Sequence, residues 1–383
     1  MVFGSTELNQ IPWETIVKVY RERLGRRSFD HLEDYAKHFL RFLDRRNTLF
    51  TSRDQQQAFM SCVLPYYHQI REDILRHWQA AAEKLADKTL STRQAAAVVQ
   101  RVIGNAWIEV RRKPRLRHLP ASFARMVTRK YAREIVRARR WVFQELPLSR
   151  SLERKLTSIA VGLACRDFFH SGTSGVVVAG FGAGDAFPAL CLYQVDCVVG
   201  NRLKYGKASG DRVTADNEAL IRAFAQQEMV VTFMEGINPG CREVYSSCVK
   251  NVLLHLRDGV VRAMGGAQPS TKALQTFMSP RRVRRLLGEF EEKIESRIRR
   301  TQVGPVIDAV RALPKDELAS MAEALVNLTS FKGRVSMEEE TVGGPIDVAV
   351  ISKGDGFVWI KRKHYFRPEL NPRYFRGLPG RRS

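Results

Sequence analysis

Apolar residues recur at intervals of three and four along the first part of the chain, which predicts amphipathic helices. Pro12 suits a first helical turn, and Trp13 and Ile16 follow on one face of that helix. Ser28 is the predicted N-cap of a second helix, whose apolar face extends to Leu43. The chain is therefore predicted to begin with two packed helices.

The helical pattern continues from about Gln55 to Arg166, and Phe123–Phe143 is predicted to be one helix. Further helices are predicted at Asn217–Met234, Pro280–Arg300 and Pro314–Phe331, whereas Pro239–Met264 stays undecided. The last residues, Arg367–Ser383, are rich in Pro, Arg and Gly and are predicted to be a mobile arm.

Two places break the helical pattern. Val176–Gly182 is a short β-branched run that ends in glycines, and Ala189–Val199 alternates along its length, which predicts two adjacent strands in a hairpin. A second hairpin is predicted from Thr341–Ser352 and Phe357–Lys363, because Asp355-Gly356 between them is a turn signal. The order of helices, hairpin, helices and hairpin favours an α+β fold over a parallel βαβ sheet.

The composition excludes several classes of protein. The N-terminus has no basic segment followed by an apolar one, and no apolar run approaches the roughly 18 residues that span a bilayer. We therefore expect a soluble, cytoplasmic protein without membrane contact. The six cysteines include no C-x-x-C pair, so we expect free, mostly buried thiols, no metal site and no cofactor.

The formal net charge of +23 comes mostly from arginine. Such a charge favours acidic partners, among them nucleic acid, an anionic membrane surface and an acidic protein face. A genome rich in G and C is the alternative explanation, because it replaces lysine codons with arginine codons without any ligand. Composition alone leaves both explanations open.

A basic stretch between Arg111 and Arg140 contains twelve basic residues and one acidic residue, Glu134. The candidate binding ridge within it consists of Arg125, Arg129, Arg133 and Arg137, which are four residues apart on one predicted helix. Like charges at this spacing destabilise an isolated helix, so the ridge predicts an acidic counter-surface in the same chain, in a partner subunit or in a polynucleotide. The stretch has no recognised nucleic-acid motif, and its aromatic residues are expected on the apolar face.

Other candidate motifs have simpler explanations. Gly180–Asp185 follows a strand, but a second strand follows it where a phosphate-binding loop would open a helix, so a glycine-rich hairpin connection is expected. His31 and His38 could share a helix face and are expected to be structural. The acidic run Glu338–Glu340 is expected to be solvated rather than to bind a cation.

The segment from Thr341 to Trp359 resembles the closing hairpin of proteasome β-type subunits, with a Gly-Gly pair, a hydrophobic strand, an acidic turn and an aromatic strand. Val176–Gly182 with Leu192–Asp196 is similar to an earlier hairpin of that family, and Met1–Gly4 is similar to the end of a strand that leads into its first helix. The whole chain resembles a bacterial branch of proteasome-like proteins with a long helical insertion near residues 50–165.

The resemblance implies an incomplete four-layer αββα N-terminal-nucleophile hydrolase sandwich with a long helical insertion. The implied domains are the first helices of the sandwich, the Arg-rich helical insertion, the sheets and helices of the sandwich, and the basic tail. Their expected bounds are residues 1–48, 49–168, 169–366 and 367–383.

Catalysis in this family uses an N-terminal residue, usually Thr, whose own α-amine accepts the proton. Here no strand that begins with such a nucleophile precedes Met1–Gly4, and Ser5 and Thr6 lead into a helix, so the catalytic residue is unassigned. Gly343 and Gly344 match the family's Gly-Gly pair, and Glu339 stands where the family often has Asp.

The leading hypothesis is a proteasome-like peptidase or amidohydrolase that is inactive as this chain, because either Met1 is an internal start or the protein is a degenerate relative. With an upstream extension it would be a threonine-type peptidase that acts on peptides. The competing hypothesis is a non-enzymatic basic module that binds nucleic acid or an acidic protein. In either case we expect a homo-oligomer or a partner subunit.

Overall fold

One long strand in the first half of the chain has side chains that alternate between buried and half-buried positions. In the computed structural model this strand covers Ala189–Val199, and Cys191, Tyr193 and Val195 are buried on one face while the residues between them are half-buried. Successive side chains of a strand point to opposite faces, so the period of two in the sequence places one face on a core.

The structure describes residues 1–44, 49–85, 89–169, 172–214, 219–263, 279–335, 346–362 and 366–372. The chain forms two compact units, Met1–Arg212 and Val213–Ser383. The finer boundaries predicted after residues 48, 168 and 366 stay predictions.

The first unit contains, in chain order, β1 (Val2–Gly4), β2 (Glu7–Leu8), β3 (Ile11–Pro12), α1 (Trp13–Leu24), α2 (Leu32–Asp44), α3 (Ser52–Ala82), α4 (Thr92–Arg112), α5 (Phe123–Lys130), α6 (Ala132–Phe143), α7 (Arg150–Cys165), β4 (Ser174–Gly180), β5 (Ala189–Val199) and β6 (Arg202–Arg212). Its main sheet has the order β1-β4-β5-β6, and each neighbouring pair is antiparallel. The predicted first hairpin is confirmed as β4 and β5. Strand β6 was not predicted, because its lysines, glycines and serine lack an apolar alternation.

Helices α1 and α2 cover one face of this sheet. Ile16 and Phe39 pack in one buried cluster with Tyr193 and Val195 of β5. Burying one such side chain contributes about 1.5–3 kcal/mol, so this face supplies a large part of the driving force for folding.

Helices α3 to α7 form a second core of their own. Phe59, Tyr67 and Leu156 are among its fully buried side chains, and Cys197 and Val199 join it from the end of β5. Capping boxes at Thr51 and Ser91, and the cap at Ser149, satisfy amides at the starts of α3, α4 and α7. The end of β5 therefore connects the sheet to the helical core.

The predicted N-cap of the second helix is wrong. Helix α2 begins at Leu32, and the Leu32 amide donates to Oδ2 of Asp185 at 2.9 Å. Ser28 lies upstream, where its hydroxyl accepts a hydrogen bond from Tyr35. A carboxylate from the β4–β5 loop thus takes the capping role that a local hydroxyl was expected to fill.

The second unit contains α8 (Glu228–Glu235), α9 (Pro239–Ala263), α10 (Pro280–Ile298), a π-helical turn (Arg299–Val303), α11 (Gly304–Ala312), α12 (Lys315–Val335), β7 (Val348–Ser352), β8 (Gly356–Lys361) and a short 3-10 turn (Pro368–Leu370). Strands β7 and β8 pair antiparallel, so the second predicted hairpin is confirmed over these residues, while the predicted strand positions 341–345 and 363 lie outside the described residues. The stretch Pro239–Met264, left undecided by its sequence, is helical to Ala263 with Pro239 at its first position.

The helix predicted at Asn217–Met234 is wrong for most of its length. Among its described residues, only those from Glu228 onward are helical. Ala225 has a φ of 65°, a left-handed conformation that interrupts a right-handed helix at a cost of about 1–2 kcal/mol.

The described chain is therefore an α+β protein with antiparallel sheets, as predicted. Within the described residues, no helix combines the length and the apolar character needed to cross a membrane.

Candidate anion-binding surface

Tyr131 divides the basic stretch into two helices. Its backbone, at φ −107° and ψ 20°, lies between α5 and α6, so the prediction of one helix over Phe123–Phe143 is wrong. The Tyr131 hydroxyl accepts a hydrogen bond from the Gly200 amide at 3.1 Å, and its ring stacks on Phe59 with centroids 4.6 Å apart. These tertiary contacts hold the residue in a conformation that the local helical pattern does not favour.

The four candidate ridge residues are all exposed. Arg125 and Arg129 lie on α5, and Arg133 and Arg137 lie on α6, so the predicted continuous ridge is divided at the break. Within the described residues, none of the four has a carboxylate within 4.0 Å. By contrast, Arg139 is mostly buried and pairs with Glu153 at 3.1 Å.

Helix α6 also presents an aromatic ring to solvent. Trp141, which directly follows the basic stretch, is 60% exposed, whereas the two aromatic residues within the stretch, Phe123 and Tyr131, are buried as expected. Trp141 lines a shallow, open depression with Arg133, Arg137 and Arg140. Residues 133, 137 and 141 are four apart, so one face of α6 carries two arginines and a tryptophan in a row. This spacing is visible in the sequence, so it is the signal by which Trp141 could have been identified as a candidate residue.

We call the set of Arg133, Arg137, Arg140 and Trp141 the Arg–Trp surface. At 1.5 Å per residue, the row from Arg133 to Trp141 is about 12 Å long. Glu134, the one acid of the basic stretch, has its Oε2 atom buried, and that atom accepts no hydrogen bond from the described residues. The surface is thus strongly positive, with an aromatic face at one end.

The remaining candidate residues do not join this surface. Gly343, Gly344 and Glu339 lie outside the described residues. His31 Nδ1 lies 2.9 Å from Asp185 Oδ1, and His38 Nδ1 lies 3.0 Å from the Tyr20 hydroxyl. The two histidines therefore have separate partners, and His31 precedes the helix that they were expected to share.

The glycine-rich segment after β4 is a hairpin connection, as expected. The Gly182 amide donates to Asp185 Oδ2, and the Ala183 and Gly184 amides donate to the carbonyls of Phe29 and Asp30. These amides are occupied within the protein. They are therefore not arranged to bind a phosphate.

A buried polar cluster was missed by sequence reasoning. Cys62 Sγ lies 3.8 Å from Cys197 Sγ and 3.7 Å from Asp196 Oδ1, and Asp196 Oδ2 lies 2.5 Å from Lys204 Nζ. The hydrogen bond to Cys62 and burial raise the pKa of the Cys197 thiol well above its usual value, so it is not a nucleophile at neutral pH. No local spacing could reveal the cluster, because Cys62 is separated from Cys197 by 135 positions.

No family model, curated protein or solved structure matches this chain. The function of each candidate site is therefore inferred from the chemistry of its own residues.

Proposed function

We propose that the Arg–Trp surface binds single-stranded nucleic acid. The supporting observation is the exposed Trp141 ring, which lies on the same helical face as Arg133 and Arg137. Proteins that bind single strands combine a positive surface for the phosphates with aromatic rings on which bases stack. Both elements are present within about 12 Å of one helix.

A purely structural role explains the surface poorly. Like charges at i and i+4 destabilise a helix by a few tenths of a kcal/mol per pair, and among the described residues no carboxylate lies within 4.0 Å of Arg133 or Arg137. The Trp141 ring contacts the His68 ring edge to face, with ring centroids 5.3 Å apart, but at 60% exposure it forgoes much of the burial that stabilises a fold. A bound polyanion would offset the repulsion, and stacked bases would cover the ring.

An acidic protein partner would use the arginines but not require base stacking. Single-stranded nucleic acid uses both features, and it is therefore the partner that the surface favours. The two partners differ in their salt response, since each neutralised phosphate releases a counterion and gives log K a slope of about −0.7 per contact with a single strand.

The test is fluorescence anisotropy of a labelled single-stranded oligonucleotide with the full chain at several salt concentrations. Arg133→Gln/Arg137→Gln should weaken binding and reduce the salt slope by about 1.4, because two phosphate contacts are lost. Arg93→Gln/Arg101→Gln is the matched control, since both arginines are exposed on α4. Equal effects of the two double variants, or an affinity that does not change with salt, would contradict the proposal.

A second proposal, that the scaffold is N-terminal-nucleophile hydrolase-like and related to proteasome β subunits, has its own support. Helices α1 and α2 cover one face of the main sheet, while Val177, Leu190 and Leu192 lie on the other face and are buried or half-buried. A sheet with apolar residues on both faces suits a sandwich with a second sheet. Each of the hairpins β4–β5 and β7–β8 lies at the position along the chain that the resemblance implies.

This second proposal is tested on the protein isolated from its native cell, by N-terminal sequencing and by turnover of fluorogenic peptides. A peptidase should have an N-terminal Thr, Ser or Cys and lose turnover when that residue is replaced by Ala. Absence of turnover from the native protein would contradict a peptidase activity and leave the binding proposal unaffected.

A further inference from the structure

We propose that Cys62, Asp196 and Cys197 form a binding site for a thiophilic divalent cation, of which zinc is the best fit. The donor atoms of the three residues all lie within 4.8 Å of one another. Two thiolates and a carboxylate are a ligand set that zinc takes readily. The sequence predicted no metal site, because these residues have no recognisable ligand spacing.

Two of the three distances between ligand atoms match the edges of a zinc tetrahedron, and the third, between Cys197 Sγ and the Asp196 carboxylate, is within 4.8 Å. With Zn–S bonds of about 2.3 Å and a Zn–O bond of about 2.1 Å, tetrahedral geometry places two sulfurs about 3.8 Å apart and a sulfur and an oxygen about 3.6 Å apart. The corresponding distances are 3.8 Å from Cys62 Sγ to Cys197 Sγ and 3.7 Å from Cys62 Sγ to Asp196 Oδ1. The two edges from Cys62 thus already have the lengths that zinc requires.

A β-bulge brings the ligands together. Val195 pairs with Tyr205 and Val198 pairs with Leu203, so Asp196 and Cys197 together oppose the single residue Lys204. In a regular strand, adjacent side chains point to opposite faces. The bulge removes this restriction, and both residues reach Cys62 of α3. Bulges often re-aim side chains in this way next to functional sites.

The two oxygens of Asp196 have different partners. Oδ1 faces Cys62, whereas Oδ2 accepts a hydrogen bond from Lys204 Nζ, which also donates to the Phe168 carbonyl at 2.6 Å. One oxygen can therefore bind the cation while the other stays fixed by the ammonium group, an arrangement that orients a metal ligand.

The charges of the cluster balance with and without the cation. Without zinc, two neutral thiols, one carboxylate and one ammonium sum to zero. With zinc, two thiolates, the carboxylate, the ammonium and the dication also sum to zero, and two protons are released to solvent. Because a net charge in a buried site is costly, this balance allows the cation to bind without an uncompensated charge. The fourth position of the tetrahedron is left for a water molecule, which keeps the cluster neutral.

The test adds Zn²⁺ or Co²⁺ alone to the reduced full chain. Native mass spectrometry should show one zinc per chain, and cobalt should give the visible bands of a tetrahedral site with thiolate charge-transfer absorption. Cys62→Ser and Cys197→Ser should each abolish these bands. Cys191→Ser is the matched control, because Cys191 is equally buried on β5 but packs on the α1–α2 side.

If the serine variants do not fold, a measurement on the chain without substitutions still tests the zinc site. Zinc K-edge absorption should resolve two sulfur neighbours at about 2.3 Å and oxygen neighbours near 2.0–2.2 Å. Absence of zinc binding, a sulfur count of zero, a Cys62–Cys197 disulfide that excludes zinc, or equal loss in Cys191→Ser would overturn the proposal.

Discussion

Lys204 Nζ lies 2.5 Å from Asp196 Oδ2, and the two side chains are 3% and 2% exposed. Burial is the largest single effect and lowers the pKa of Lys204, but the Asp196 carboxylate together with the sulfurs of Cys197 and Cys62 outweighs it, so the pKa is raised above its usual value. The first unit thus keeps a charged pair next to two thiols inside its core. Such a pair costs desolvation energy, so removal of one partner should be more damaging than loss of a surface pair.

We predict that Lys204→Met lowers the free energy of unfolding by about 3–5 kcal/mol, because Asp196 is then left as an uncompensated buried charge. Lys207→Met is the control on the same strand, where Lys207 and Glu33 are 49% and 45% exposed. It should cost about 1 kcal/mol or less. Urea unfolding measures both changes, and similar losses in the two variants would contradict the prediction.

A second prediction concerns acid stability. Hydrogen bonds from the His31 ring and from the Leu32 and Gly182 amides hold the pKa of Asp185 below its usual value. The folded-state pKa is therefore below the unfolded value of about 3.9, so the stabilisation is complete above that pH and is lost as the pH falls below it. Asp185→Asn should cost about 2 kcal/mol at neutral pH and reduce the loss of stability on acidification.

Thermal melting at about pH 6 and about pH 3 checks this, since these values lie on either side of the unfolded pKa. Asp34→Asn is the control, because the Asp34 carboxylate is exposed and pairs only with Lys37 in the described structure. If Asp34→Asn changes the pH dependence as much as Asp185→Asn does, Asp185 is not the responsible group.

The break at Tyr131 gives a third prediction. Tyr131→Phe removes the acceptor of the Gly200 amide and should lower the free energy of unfolding by about 1–3 kcal/mol. Tyr245→Phe is a control, because Tyr245 is 55% exposed and should tolerate the change. Urea unfolding distinguishes them, and an unchanged midpoint for Tyr131→Phe would show that its hydroxyl does not fix the break.

The sequence predicts those parts of the fold that depend on neighbouring residues. The β7–β8 turn follows from Asp355-Gly356, where Gly356 adopts a φ of 70° and the Ser352 hydroxyl donates a hydrogen bond to Asp355 Oδ2. The β4–β5 hairpin follows from alternation and glycines. These signals lie within a few positions of the structure that they determine, and both hairpins are confirmed.

Contacts between distant residues explain what the sequence did not predict. Asp185 caps α2 from 153 positions away, and the Tyr131 break depends on Gly200, 69 positions away. The cluster of Cys62 and Cys197 needs a bulge that only pairing with β6 reveals. Trp141 is different, since its i+4 spacing from Arg137 is a local signal that the sequence contains.

A fourth prediction addresses stacking. Trp141→Ala should weaken single-stranded oligonucleotide binding about 5- to 150-fold, which corresponds to about 1–3 kcal/mol for one stacked base. Phe187→Ala is a control, because Phe187 is an exposed aromatic residue outside the Arg–Trp surface. Anisotropy titrations give both affinities, and an unchanged affinity for Trp141→Ala would mean that the ring takes no part.

The most direct test of the binding surface is ultraviolet crosslinking of a short oligothymidine to the full chain, with the crosslinked peptide identified by mass spectrometry. Because Trp141 lies at one end of the arginine row, the crosslink should map to the α6 peptide that contains it, and added salt should suppress it. Crosslinks that map only elsewhere, or none at low salt, would contradict the proposed function.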